Sequence, residues 1–191
     1  MIGSKYIVIS IGAVLVLFGA LTYSTRDIAP DLAPFYPTPM IVVDKMLEMA
    51  AIESDDVVYD LGCGDGRIVI AAADRFGARG VGVEYDPDVA QRAIDNVRNS
   101  GLEDQVEIIV GDAMKVDVKA ATVVTLYLLP ESNLKLKPIL EASLAPGSRV
   151  ISHDWDMEGW TATSVERMTD GSGRVHTLYL WIIGEQYPSE E

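Results

Sequence analysis

Apolar residues recur along the chain with two periods, and the switches between them mark out its elements. Val57–Leu61, Gly80–Glu84, Val106–Val110, Thr122–Leu128 and Arg149–Ser152 are short, β-branched runs that read as five strands. Between them, Arg67–Phe76, Pro87–Ser100 and Glu131–Leu144 carry apolar positions at helical spacing. Pro87 suits a first turn, Gly101 stops that helix, and Pro146-Gly147 breaks the last one, whose expected core positions are Leu134, Ile139 and Leu140. Upstream, Met40, Val43, Leu47 and Ala50 define an amphipathic helix ending near Ala51, with Thr38 as its N-cap and Pro39 in its first turn. Ala162–Met168 and Arg174–Ile183 are two further strands, joined by the turn sequence Thr169-Asp170-Gly171-Ser172-Gly173. The alternation predicts an α/β, Rossmann-like fold. Its sheet is seven-stranded and mostly parallel, with helices on both faces and a C-terminal antiparallel hairpin.

The first residues follow neither period. Tyr6 to Thr25 is a run of 20 residues without a charge, apolar all round, with Tyr6 and Tyr23 near its ends. As a helix it would be about 30 Å long, the thickness of a bilayer's hydrocarbon core. It is too long for the apolar stretch of a cleaved signal and lacks a well-formed cleavage site. A transmembrane helix is therefore expected within residues 1–26, a proline-rich linker over 27–39 (Pro30, Pro34, Pro37, Pro39), and one folded domain over 40–191. Lys5 and Arg26 flank the apolar run, so the charge rule does not orient it.

Composition narrows the function. Of 191 residues, 49% are apolar and 23% charged, enough to bury a sizeable core. The net charge of −14, from 15 basic and 29 acidic residues, argues against nonspecific binding to nucleic acid or anionic lipid. Cys63 is the single cysteine, which excludes an internal disulfide, and with only His153 and His176 beside it no metal is expected.

The chemistry gathers at the strand ends. Asp60-Leu61-Gly62-Cys63-Gly64-Asp65-Gly66 places three glycines where the first strand turns into a helix, so a ligand can approach the backbone amides. The spacing is not that of a dinucleotide fingerprint, and no Gly-Lys-Ser/Thr follows. A carboxylate at Asp60 would repel a pyrophosphate and suits a ligand bearing an ammonium group. Glu84 ends the second strand, where an acid can accept both hydroxyls of a ribose. Asp112-Ala113 ends the third, within reach of an adenine edge. Ligands of open α/β sheets bind beyond these carboxyl ends, at the switch point.

These residues resemble the class I S-adenosylmethionine-dependent methyltransferases: Asp60–Gly66 matches the first motif, Glu84 the second and Asp112 the third. The resemblance implies S-adenosyl-L-methionine as cofactor. Its methionine part would lie at the glycine turn (Gly62, Gly64, Asp65), its ribose at Glu84 and its adenine at Asp112-Ala113. A narrower likeness, to the membrane-anchored protein-lysine N-methyltransferases of mitochondria (acting on the adenine nucleotide translocase or the c subunit of ATP synthase) and their archaeal and bacterial relatives, rests on five stretches. They are Pro34–Pro39, Val58–Gly62, Gly64–Ala73, Val123–Pro130 and Ser152–Asp154. It implies a lysine-bearing protein as partner, possible membrane substrates, and Thr38 among the cofactor-binding residues. Since the cofactor is cytosolic, the domain is expected on the cytosolic side of a single-pass anchor.

Lysine methylation needs a neutral amine aligned with the methyl group, and lysine's ordinary pKa near 10.4 must be lowered by an apolar, positively polarised channel. Tyr127, ending the fourth strand, offers a ring and a hydroxyl to an amine, or is a core tyrosine. Asp154 is the second expected catalytic residue. His153 reads as one of a hydrogen-bonded loop pair with it, and His176 as structural; Trp155 and Trp160 line the site or cap the core. A small-molecule or lipid acceptor, or a non-catalytic cofactor-binding scaffold at the membrane, remains the alternative.

Overall fold

The computed structural model describes residues 36–187. The expected membrane segment, and all but the end of the linker, lie outside the described residues. Among those described, no helix is long and apolar enough to cross a membrane.

The elements follow in the order α1 (Met40–Met49), β1 (Val57–Leu61), α2 (Arg67–Phe76), β2 (Arg79–Glu84), α3 (Pro87–Ser100), β3 (Val106–Val110), β4 (Val123–Leu126), α4 (Pro130–Ser143), β5 (Arg149–His153), β6 (Ser164–Thr169) and β7 (Val175–Ile182). One seven-stranded sheet has the order β3-β2-β1-β4-β5-β7-β6. The pairings from β3 through β5 are parallel, and β7 is antiparallel to both β5 and β6. The chain order reverses between β1 and β4, so the switch point lies where the glycine turn leaves β1.

Burial explains the layering. Val58, Val123, Ile151 and Leu178 point to one face, where Val42, Val43, Met46 and Leu47 of α1 and Ile68, Ala71 and Ala72 of α2 cover them. Tyr59, Leu61, Val124, Leu126 and Trp181 point to the other, under Leu136 and Leu140 of α4 and the loop residues Met157 and Trp160. Strands buried on both faces need the near-continuous apolar runs seen in the sequence. Three expectations change. Leu134 is exposed, because Asn133, Leu136 and Leu140 form the inward stripe of α4 and the next position lies about 100° around the helix. Met40 is exposed too, at the outer start of α1. Thr38 does not cap α1: Pro39 holds the N-cap position without a side-chain bond, and the Thr38 hydroxyl is drawn to the buried ring of His153.

The base of the sheet is tied by charge. The Arg149 guanidinium donates to the carbonyls of Ala50 and Ala51 and to the Asp56 carboxylate, which also accepts from Thr122 Oγ1 at 2.6 Å. At the opposite end, Gly82 of β2 leaves room for the glycine turn. A β-carbon there would lie 2.7 Å from Cys63 Sγ and 2.8 Å from Ile108 Cδ1. Gly82→Ala is therefore expected to lower stability by about 1–3 kcal/mol in chemical denaturation. Adding Cys63→Ala should recover part of that loss, and a strictly additive double mutant would show that the crowding lies elsewhere.

Candidate active site

The turn after β1 is shaped by backbone conformation and by a single carbonyl. Gly62, Gly64 and Gly66 have φ of 88°, 58° and 80°, values that L side chains rarely adopt. The amides of Gly62 and Cys63 both donate to the carbonyl of Val83 on β2, at 2.8 and 2.9 Å. A side chain at Gly62 would also meet Leu128 Cδ2 at 2.7 Å. Cys63 is buried behind the turn, and burial pushes its thiol pKa up, so it is an inert packing group.

Asp60 is the last polar residue of β1 and is 3% exposed. Its partner across the sheet is Thr125 of β4, whose hydroxyl donates to Asp60 Oδ1 at 2.7 Å. Among the described residues no cation pairs with it. Burial, reinforced by the nearby Glu84 and Asp65 carboxylates, pushes its pKa up to about 7 against the Thr125 hydrogen bond. This is an acid placed at a ligand-binding edge and short of a positive partner.

Glu84 accepts from the Gly64 amide through Oε2 and from the Asp86 amide through Oε1, both at 2.9 Å. It thus fixes the glycine turn to the end of β2 and keeps lone pairs for further donors. Asp112 holds the next rim position, accepting from the Met114 amide at 2.9 Å and pairing with Lys115 at 3.0 Å, while Ala113 packs into the core. Asp65 pairs with Arg67, the first residue of α2. Its carboxylate grips Arg67 at 2.8 and 2.5 Å, and Arg67 Nη1 donates to the Thr38 carbonyl at 2.9 Å. The structure so brings Thr38 to the glycine turn, with Asp60 and Glu84 on neighbouring strand ends.

Tyr127 and Asp154 follow β4 and β5 and meet in one cluster. The Tyr127 ring stacks on His153, with centroids 3.9 Å apart, and its hydroxyl accepts from Arg174 Nη2 at 3.0 Å. Asp154 has φ of 64°, an uncommon value outside glycine. It is fixed there by its amide to the Thr177 carbonyl (2.6 Å), by the Thr177 amide to its Oδ1 (3.0 Å), and by Arg174 on its Oδ2 (2.6 Å). Asp154 is therefore neutralised by Arg174. Burial pushes His153 down to about 4, with His176 adding to this and Asp154 opposing it. Trp160 is core, donating to Glu141 and packing edge-on to Trp181, whereas Trp155 is exposed.

Sequence reasoning missed Thr125, Arg174 and the contribution of His176. Thr125 is a polar residue inside an apolar strand, a signal that could have paired it with Asp60. Arg174 follows the hairpin turn, but only the placement of β7 beside β5 brings it to Tyr127.

The acidic rim and glycine turn fit an adenosyl ligand with an ammonium group, and the comparisons agree. Residues 60–164 match the family described as the ANTKMT methyltransferase domain. The chain is 46% identical over 153 residues to the protein-lysine N-methyltransferase of Saccharolobus islandicus (strain REY15A), covering 80% of this chain and 94% of that protein. It is 32% identical over 155 residues to the ATP synthase c-subunit lysine N-methyltransferase of Rattus norvegicus, over 79% of this chain and 70% of that one. A solved structure, an RNA methyltransferase from Salinibacter ruber in complex with S-adenosyl-L-homocysteine, superposes with a TM-score of 0.74 at 50% identity, over 81% of this chain and 98% of the other. The chain thus belongs to the ANTKMT methyltransferase domain family and is an S-adenosylmethionine-dependent methyltransferase.

Proposed function

We propose that the acceptor is the ε-amine of a lysine in a protein. The observation that carries this reading is the 46% identity, spanning nearly the whole of the relative, to a protein named as a lysine methyltransferase. Asp60 would hold the cofactor's ammonium, which supplies the positive partner that its buried carboxylate lacks. Glu84 would accept from the ribose hydroxyls and Asp112-Ala113 would meet the adenine. Thr38, Gly62, Gly64 and Asp65 would enclose the methionine part.

Bound there, the cofactor supplies a methyl group on a cationic sulfur, open to direct displacement by a nitrogen lone pair. The protein's task is alignment and control of the amine's proton. Tyr127 offers its ring edge and hydroxyl to the approaching amine. Arg174 cancels the charge of Asp154, so the acceptor end has no free carboxylate to hold the amine as an ammonium ion. We extend the reading to the amino-terminal run Tyr6–Thr25: it anchors the chain in a membrane with the domain on the cytosolic side, which concentrates membrane-bound targets near the site.

A second reading comes from the Salinibacter ruber relative, named as an RNA methyltransferase. The net charge of −14 opposes it, because a phosphodiester chain would be repelled. Incubating the full-length chain with methyl-labelled cofactor and native membranes, then hydrolysing, separates the cases. Label recovered as N-methyllysine is expected; label confined to RNA, lipid or small molecules would contradict the lysine assignment. A second prediction concerns Asp60. Since its pKa stands near 7 without a partner, cofactor binding should expel its proton, and affinity should fall as pH drops below 7, by up to about tenfold per pH unit. Calorimetry in buffers of different ionisation enthalpy reads this below roughly pH 7, where the ligand's own α-amine stays charged. Asp60→Asn should abolish the proton release and weaken binding; unchanged release would remove Asp60 from the ammonium site.

A further inference from the structure

Four side chains far apart in sequence form one continuous line of hydrogen bonds. Thr38 Oγ1 lies 3.1 Å from His153 Nδ1, His153 Nε2 lies 2.8 Å from His176 Nδ1, and His176 Nε2 lies 3.1 Å from Asp170 Oδ2. Both rings are fully buried, and the line runs from the glycine turn to the turn of the β6–β7 hairpin. At the hairpin end Asp170 is ionised: hydrogen bonds from Ser172 and His176 hold its carboxyl well below the usual range. At the site end Thr38 is locked against the glycine turn through Arg67 and Asp65, while His153 carries the Tyr127 ring on its face.

An ionised carboxylate only accepts, and this sets every proton along the line. Asp170 takes the Nε2 proton of His176, so His176 Nδ1 accepts. It takes the Nε2 proton of His153, so His153 Nδ1 accepts. That nitrogen takes the Thr38 hydroxyl proton, which turns the oxygen's lone pairs away from the ring. Asp154 Oδ2 lies 3.5 Å from His153 Nε2 and favours a proton on the same nitrogen. The groups facing His153 are then Thr38, Tyr127, Asp154, Arg174 and His176, with Asp170 behind His176.

We infer that Thr38, His153, His176 and Asp170 form a proton relay that passes the acceptor amine's proton from the reacting end to water at the hairpin surface. The inference rests on the amine-acceptor reading above. Thr38 Oγ1 accepts a proton from the substrate ammonium as its own hydroxyl proton passes to His153 Nδ1. The Nε2 proton of His153 passes to His176 Nδ1, and that of His176 Nε2 to Asp170 Oδ2, which releases it to water. The amine keeps the electron pair of the broken N–H bond and can attack. After product leaves, the same shift runs backward against water in the open site and restores the starting tautomers. His153, His176 and Asp170 are positioning residues in this scheme; of these four, only Thr38 touches the amine.

The ligating atoms of His153, Asp154 and His176 also lie within 4.8 Å of one another, a spacing that could hold a cation. The direct bond between the two rings and the Arg174 guanidinium on Asp154 Oδ2 already use those atoms, so the relay accounts for the cluster.

The chain has two histidines, so isotope-labelled histidine reads the relay without ambiguity by ring-nitrogen NMR of the full-length protein. Both rings are expected as Nε2–H tautomers. Asp170→Asn, which keeps the oxygen that caps the hairpin turn and presents an amide donor to His176, should convert both to Nδ1–H. A wild-type Nδ1–H ring, tautomers unmoved in the variant, or zinc-dependent shifts of both rings would overturn the relay. In turnover, Asp170→Asn and Thr38→Val should lower kcat on a lysine substrate by about 10²-fold near neutral pH. The deficit should shrink as pH rises and the amine sheds its proton unaided, with cofactor affinity in Asp170→Asn unchanged and Thr38→Ser near wild type. Lysine labelling by wild type with an unaltered pH profile in Asp170→Asn would overturn the relay; absence of lysine labelling by wild type would overturn the amine-acceptor reading instead.

Discussion

A carboxylate buried without a positive partner is costly to a folded protein. Asp60 is such a group, held at the switch point of the sheet by one hydroxyl and surrounded by other acids. That cost sets the design of the site. A ligand carrying an ammonium group would supply the positive partner that Asp60 lacks among the described residues. The same charge excludes pyrophosphate ligands that glycine-rich turns otherwise attract.

The rest of the binding rim supports this arrangement through backbone bonds. Val83 receives two amides of the glycine turn, and Glu84, the next residue, receives a third. Two consecutive residues at the end of β2 thus hold the turn in register with β1. Gly82 just before them has no side chain because Cys63 packs against it. Sheet register, turn shape and the placing of the acids are one coupled feature. The antiparallel β7 builds the second cluster: lying beside β5, it brings His176 and Arg174 to His153, Asp154 and Tyr127.

Local signals made much of this legible in the sequence. The strand-to-helix glycine turn, the acids closing three successive strands and the apolar runs of the central strands all follow from residues near one another in the chain. What the sequence hid depends on contacts across long separations. Thr38 has the residue type and position of a helix cap, yet a ring 115 residues away takes its hydroxyl. His176 has the alternation of an ordinary strand residue, and its role appears only once β7 is inserted between β5 and β6. Leu134 passes as a core position because the helical stripe could be drawn through either of two adjacent residues, and only the sheet chooses. Asp154 was legible as the residue that follows the fifth strand, but its neutralisation by Arg174 was not.

The central claim is that Asp60 waits, uncompensated, for a cationic ligand. Carboxyl NMR of isotope-labelled aspartate, titrated with and without S-adenosyl-L-homocysteine, tests it at the atom concerned. The account predicts an Asp60 carboxyl that titrates near 7 in the free protein and falls to the ordinary carboxylate range or below once the ligand is bound. A titration identical in the two states would contradict it.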